Sequence, residues 1–156
     1  MPIDESRFRQ TMGYFASGVT VVTTEYAQKL YGVTVSSLTS LSLNPPLILI
    51  CLDHSLRTLD AVLGRGQFVI NILDQRQEHL SRRFATREED KFTGVAWQRG
   101  HLELPILDGA LAVIECQVFA THPGGDHTII VGEVLASAIG DGTPLLYYRR
   151  GYHELQ

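Results

Sequence analysis

The sequence has no long apolar run, no basic excess and almost no cysteine, and each lack excludes something. No uninterrupted apolar stretch approaches the ~20 residues that cross a bilayer as a helix, and no signal-peptide core opens the chain. Lys and Arg number 13 against 17 Asp and Glu, a net charge of −4 that leaves no electrostatic footprint for nucleic acid. The two cysteines, Cys51 and Cys116, lie inside apolar runs and read as buried free thiols. Their number and spacing exclude a disulfide scaffold and a C-x-x-C site. A cytoplasmic protein with no membrane association is expected. Phosphate-binding fingerprints are missing too. Gly64-Arg65-Gly66 lacks the third glycine of a dinucleotide motif and precedes a strand, so it reads as a turn, and there is no P-loop or G-x-S-x-G. His122, Asp126 and His127 could bracket a metal, but no further ligand flanks them at a familiar spacing, and none is expected.

What is present is ordinary globular composition, 44% apolar and 19% charged over 156 residues, enough for one domain with its own core. Asp4 to Ser17 reads as a helix with Phe8, Met12 and Phe15 on one face and Gly18 as its stop. Val19 to Tyr26 and Leu30 to Ser36 read as a hairpin, and Leu47 to Leu52 as a strand buried on both faces. Ser55 is positioned to cap a short helix ending before Gly64, and Gln67 to Leu73 is another strand. Asp74 and Gln77 form a capping box before a helix that buries Leu80 and Phe84. Thr86 to Gly100 is irregular. Ala110 to Thr121 and His127 to Ile139 are long strands around the Pro123-Gly124-Gly125-Asp126 turn, and Leu145 to Tyr148 follows. Six or seven strands joined by short turns disfavour a doubly wound sheet and favour an antiparallel, nearly closed barrel.

The run from Gly32 to Pro46 organises the rest. It starts as a strand and becomes a hydroxyl-dense connection (Ser36, Ser37, Thr39, Ser40, Ser42), stopped by Asn44-Pro45-Pro46. Leu38, Leu41 and Leu43 are interleaved, so the expectation is an ordered loop that buries its leucines and turns hydroxyls and backbone N–H groups toward a polar ligand. By composition alone these are equally turn residues that bond nearby backbone.

The order of motifs adds to this. F-A-S-G-V-T-V-V-T (Phe15 to Thr23), the Gly32 to Pro46 run and F-V-I-N-I-L (Phe68 to Leu73) are followed by L-S-R-R-F-A (Leu80 to Ala85) and K-F-x-G (Lys91 to Gly94). G-D-H-x-I-x-x-G-x-V (Gly125 to Val134) and Y-Y-R-R-G-Y (Tyr147 to Tyr152) complete the set. Together they resemble the short-chain flavin reductases, the reductase components of two-component flavin monooxygenases such as those acting on 4-hydroxyphenylacetate. The resemblance implies a mainly β fold, the FMN-binding split barrel, a Greek-key antiparallel barrel with a few short helices. It also implies a homodimer with flavin at the subunit boundary. The implied activity is hydride transfer from NADH or NADPH to FMN or FAD, supplying reduced flavin to a separate monooxygenase.

Carried over by position, Thr34, Val35, Ser36 and Ser37 lie along the flavin ring and ribityl chain. Cys51, Leu52, Asp53, His54, Ser55 and Thr58 form a second flavin loop, with Ser55 and Thr58 near a helix start suited to phosphate. Phe84, Ala85 and Lys91 close over the flavin. His127 is the catalytic, nicotinamide-side residue, joined by Arg149 and Tyr152. Val35 stands where Ala is frequent in the family, Leu38 where Phe is usual and Asn44 where an acid is common, which leaves FMN against FAD open. Two other readings stand beside the reductase. One is a non-catalytic or electron-carrying flavin-binding protein of the same fold, and the other a pyridoxamine-phosphate-type oxidase, whose basic phosphate-binding residues are not found.

Overall fold

The β-branched run Val19 to Thr24 sits between two cores and explains the architecture. In the computed structural model, which describes residues 1–156, Thr20 to Thr24 are all buried. Val22 faces one apolar cluster, with Val33, Val35, Ile50, Leu52, Phe68, Ile70 and Ile130. Val19 and Val21 face another, with Leu73, Leu80, Phe84, Phe92 and Leu145. Burying each large side chain contributes about 1.5–3 kcal/mol, so a strand buried on both faces anchors both layers. The threonines between pay no unmet hydrogen-bond penalty. Thr20, Thr23 and Thr24 donate to the carbonyls of Val35, Pro105 and Gln67 at 2.7, 2.6 and 2.8 Å.

In chain order the elements are α1 (Glu5–Met12), β1 (Ser17–Gly18), β2 (Thr20–Tyr26), β3 (Lys29–Val35), β4 (Thr39–Leu43), β5 (Pro46–Asp53), α2 (Arg57–Arg65) and β6 (Gln67–Ile72). After a 3-10 turn at Gln75–Gln77 come α3 (Glu78–Phe84), β7 (Trp97–Arg99), β8 (Pro105–Leu107), β9 (Ala112–Gly124), β10 (His127–Ile139), β11 (Leu145–Tyr148) and β12 (Gly151–Glu154). Seven strands form one antiparallel sheet in the order β3-β2-β6-β9-β10-β5-β4. It bends at two register shifts between β9 and β10. Gly132 lies at the first bend, where a Cβ would come within 2.7 Å of the Phe68 ring, so only glycine lets β10 pass over the core there. The ladder does not close between β3 and β5. At that seam Ser37 Oγ accepts from Cys51 N–H at 3.0 Å and lies 3.2 Å from the Cys51 carbonyl, to which it donates. The result is a barrel split along one line.

Several expectations hold. The β2–β3 hairpin, β6, β10 and β11 lie where the sequence places them, and the capping box of Asp74 and Gln77 forms. Others are corrected. Helix α1 ends at Gly13, whose N–H bonds the Arg9 carbonyl, because Ser17–Gly18 is drawn off to pair with β11. It buries nothing, and Phe8, Met12 and Phe15 stay exposed. Leu38 packs on the core, but Leu41 and Leu43 point outward, because Thr39–Leu43 is an edge strand rather than a folded-in loop. Strand β5 alternates buried and half-buried residues instead of burying both faces, so Cys51 is half-buried while Cys116 is fully buried. Burial pushes the Cys116 thiol up to about 12. Ser55 does not cap α2. The capping position is Leu56, and Ser55 bonds Asp53 instead. Gly66, in the left-handed region at φ 77°, ends that helix, two residues past the expected Gly64. The short strands β1, β4, β7, β8 and β12 leave no period long enough to read.

Candidate active site

The seam between β3 and β5 opens into two adjoining recesses. The smaller, about 240 Å³, is lined by Thr34, Val35, Ser36 and Ser37 from the end of β3, Cys51, Leu52 and Asp53 from the end of β5, Leu56, and His127. Strand register assembles it. His127 is the residue opposite Asp53, and Thr128 is opposite Leu52, so β10 begins where β5 ends. The two-residue turn at Gly125–Asp126, with Gly125 at φ 66°, makes that start sharp. The larger recess, about 480 Å³, shares Asp53 and Leu56. Its walls are Lys29 to Val33 of β3, Ser55, Arg57 and Thr58 at the start of α2, and the segment Ala85 to Glu89 with Lys91 and Phe92. Both volumes together fall in the range of small-molecule sites, ~300–1,000 Å³.

The polar groups here are already partly committed. Thr34 donates to the Ser81 carbonyl at 2.6 Å, and Ser37 holds the seam. Ser36 is exposed, and Thr58 is buried in the first turn of α2. Asp53 Oδ1 accepts from both the backbone N–H and the hydroxyl of Ser55, each at 2.8 Å. Those bonds, the backbone one first, hold its carboxyl below the usual carboxylate range, with His127 and His54 adding to the effect. His127 Nδ1 lies 2.7 Å from Asp126 Oδ1, which fixes the imidazole plane and leaves Nε2 for another partner. Lys91 Nζ donates to the carbonyls of Gly32 and Phe84 at 3.0 and 3.1 Å. Burial pushes its ammonium pKa down, and the nearby Arg57 charge pushes the same way.

Most sequence-selected residues thus meet at one place. Four do not line it. Phe84 is fully buried beneath it, its ring so close to Gly32 that a Cβ there would sit 2.6 Å away, and it supplies a carbonyl to Lys91. His54 is exposed, with its backbone N–H bonded to the Asp126 carbonyl at 3.0 Å. Tyr152 is one step removed: its hydroxyl lies 2.6 Å from Ser81 Oγ, on the residue whose carbonyl holds Thr34. Arg149 stands elsewhere, its guanidinium over the Tyr14 ring at 4.7 Å and its N–H on the Gly13 carbonyl, in a cleft beside α1. His122 pairs across from Ile129 and does not join Asp126 and His127. Asp53 does, with one ligand-type atom from each of the three within 4.8 Å of the others. That group is exposed in part and internally bonded, a pattern common without a metal.

Sequence reasoning missed Tyr31 and Arg57. Arg57 had a signal: a cation in the first turn of a helix faces the positive end of the dipole and needs an anionic partner. It has one in Glu89, at 3.0 Å.

No serine of the site is bonded to a histidine, so a Ser–His nucleophile pair is not formed here. The seam cleft of this split barrel joins a lobe lined by Thr34, Ser36 and Ser37 to one lined by Lys29, Arg57, Arg87 and Lys91 with Asp53, Glu88 and Glu89, a size and polar lining suited to a small-molecule ligand. Comparison with known proteins makes the class specific. Residues 12–156 match the model of the flavin reductase like domain. The chain is 39% identical over 153 residues to the reductase subunit HsaB of a flavin-dependent monooxygenase from Mycobacterium tuberculosis, covering 96% of this chain and 82% of that one. Nitrilotriacetate monooxygenase component B from Mycobacterium thermoresistibile superposes with a TM-score of 0.95 at 40% identity, over 98% of this chain and 87% of that one. An NADH:FAD oxidoreductase, SgcE6, from Streptomyces globisporus superposes at 0.94 with 33% identity, over 98% and 93%. The chain belongs to the flavin reductase family, as its motif order implies, and is an NAD(P)H:flavin oxidoreductase with the family's split-barrel fold.

Proposed function

We propose that this reductase uses NADH to reduce FAD or FMN held in the two-lobed cleft, acts as a homodimer, and passes reduced flavin to a separate monooxygenase. The observation that carries the reading is the meeting of both recesses at Asp53 and Leu56, which joins the Thr34–Ser37 strand end to the Arg57–Lys91 cation pair. A flavin needs that combination: a flat wall for the ring, then positive charge for phosphate some distance along. The donor set fits it. Thr34 to Ser37 and Cys51 to Asp53 would lie along the ring and ribityl chain, and Thr58, Arg57 and Lys91 beside the phosphate. When bound, the flavin supplies the electron-accepting chemistry. The chain's own part is orientation, since direct hydride transfer asks for two flat rings at close range and no proton relay. His127, braced by Asp126, is placed to hold the nicotinamide against the ring, with Asp53 beside it. The named partner monooxygenases of relatives, and the NADH:FAD activity of a solved neighbour, support the donor and partner assignments.

The homodimer rests on uncovered apolar surface. Phe8, Met12 and Phe15 of the N-terminal segment and Leu41 and Leu43 of β4 lie exposed at 48% or more, which a second copy would cover. Sedimentation at micromolar concentration should give a dimer, and an active monomer would sink this part. No helix is long and apolar enough to cross a membrane.

Activity is tested by NADH oxidation with added FMN, FAD or riboflavin, and flavin bound tightly without turnover would favour a carrier. For the site, stopped-flow reduction of His127→Ala should be slower by about tenfold to a hundredfold, with flavin affinity unchanged. Equal loss of flavin binding would move His127 to the flavin side.

A further inference from the structure

We propose that Glu89 is an internal competitor for the flavin phosphate: its carboxylate and the phosphate contend for the Arg57 guanidinium, so Glu89 sets how strongly the site distinguishes phosphorylated flavins from riboflavin. This rests on the proposed placement of the phosphate in the larger recess. Arg57 has five N–H donors, and the chain uses two groups to hold them. Nη1 donates to Glu89 Oε1 at 3.0 Å and Nη2 to the Arg87 carbonyl at 3.0 Å. The segment Arg87 to Glu89 is thereby strapped to the start of α2 across the recess that all four residues line. The pair is a weak strap. The side chains are 50% and 72% exposed, and exposed pairs contribute little because water screens them and two flexible chains must be ordered.

A phosphate is the stronger claimant. Lys91 spends two of its three N–H groups on Gly32 and Phe84 and keeps the third. Arg57 and Lys91 line the same recess and repel one another, and of its three carboxylates Glu89 is the one bonded to Arg57. The monoester of FMN brings about two negative charges and three acceptor oxygens, by analogy with a phosphorylated side chain, and can engage the guanidinium by two parallel bonds. Exchange of Glu89 for phosphate would free the Glu89 contact on Nη1, so filling the recess would loosen the strap and leave it the Nη2 bond to the Arg87 carbonyl. Riboflavin has no group to make the exchange, and for it the strap is a bystander.

Titration of wild type, Glu89→Gln and Arg57→Gln with FMN and with riboflavin tests this. Glu89→Gln keeps the shape and removes the competing charge, so FMN should bind about two- to fivefold tighter while riboflavin is unchanged. Arg57→Gln should weaken FMN about tenfold or more, again with riboflavin unchanged. If Arg57→Gln weakens FMN but Glu89→Gln leaves it the same or weaker, the competition is disproved while the phosphate placement stands. Equal tightening of FMN and riboflavin by Glu89→Gln also overturns the competition, since the effect would then belong to the segment's packing. If Arg57→Gln leaves FMN affinity unchanged, the phosphate does not reach this recess, and both ideas fall.

Discussion

Thr34 to Ser37 and Ser55 to Thr58 are both hydroxyl-rich, both border the cleft and read alike as sequence, yet they use their hydroxyls differently. Thr34 and Ser37 are half-buried and bonded to backbone far away in the chain, at Ser81 and Cys51. Ser55 is exposed and bonded to a carboxylate two residues back. A hydroxyl that satisfies buried backbone cannot be removed without leaving a donor or acceptor stranded. One that satisfies an exposed acid can be replaced by water. So the first segment builds the cleft, and its ligand contacts must come mainly from backbone and from Ser36. In the second, Ser55 lies on the rim, while Thr58 is buried in the first turn of α2.

The largest effect expected from this contrast is at Ser37. Ser37→Leu removes both bonds to Cys51 and forces a larger side chain into the seam. Destabilisation of about 2–4 kcal/mol is expected, from a stranded N–H plus overpacking. Chemical denaturation measures it, and flavin binding should fall in the same variant. A variant of wild-type stability that has merely lost flavin would mean that Ser37 serves the ligand and the seam closes without it.

Thr34→Val is the milder counterpart. The shape is nearly kept, and the Ser81 carbonyl still accepts from Ala85 N–H at 3.2 Å, so about 1 kcal/mol is expected. Tyr152→Phe removes the next bond along, the one to Ser81 Oγ, and should cost about the same. Because both changes act on Ser81, the double variant should cost less than the sum, read by a denaturation cycle. Strict additivity would mean that Tyr152 and Thr34 do not communicate, and that the tail reaches the cleft by some other route.

These residues also mark what can be read from a sequence. The Asp74–Gln77 capping box is local, with every partner within three residues, and was legible, whereas the turn read over Pro123 to Asp126 narrows to Gly125–Asp126 because β9 runs on through Gly124. The start of β10 at His127 was legible because a glycine-rich turn stands directly before it and a long β-branched, apolar run follows. The seam was not, since nothing in Ser37 announces a partner fourteen residues away. Periodicity likewise gave the apolar face of α1 but not what covers it, and within this chain nothing does. The Tyr147 to Tyr152 motif shows a finer limit. Arg149 and Arg150 both adopt positive φ, 49° and 64°, which turns Arg149 toward Tyr14 while Tyr152 runs back along β12 to Ser81. One motif reaches two places.

The smallest expected effect, and the sharpest test of the contrast, is at Ser55. Ser55→Ala takes away one of the two Ser55 bonds to Asp53 and leaves the backbone N–H in place. Water can replace the lost hydroxyl, so stability at neutral pH should barely change. The consequence should appear in acid. Asp53 is held below the usual carboxylate range in the fold, so the unfolded chain takes up its proton first as pH falls. Its contribution is therefore complete above the ordinary carboxylate value near 4, and is lost as pH falls through the lower folded value. In Ser55→Ala the folded value moves back toward the ordinary one. The Asp53 resonance should titrate at higher pH by NMR, and acid unfolding should begin slightly earlier. If neutral stability instead drops as far as in Ser37→Leu, the second segment is as structural as the first. If flavin affinity falls while stability holds, Ser55 meets the ligand directly and the rim is part of the binding surface.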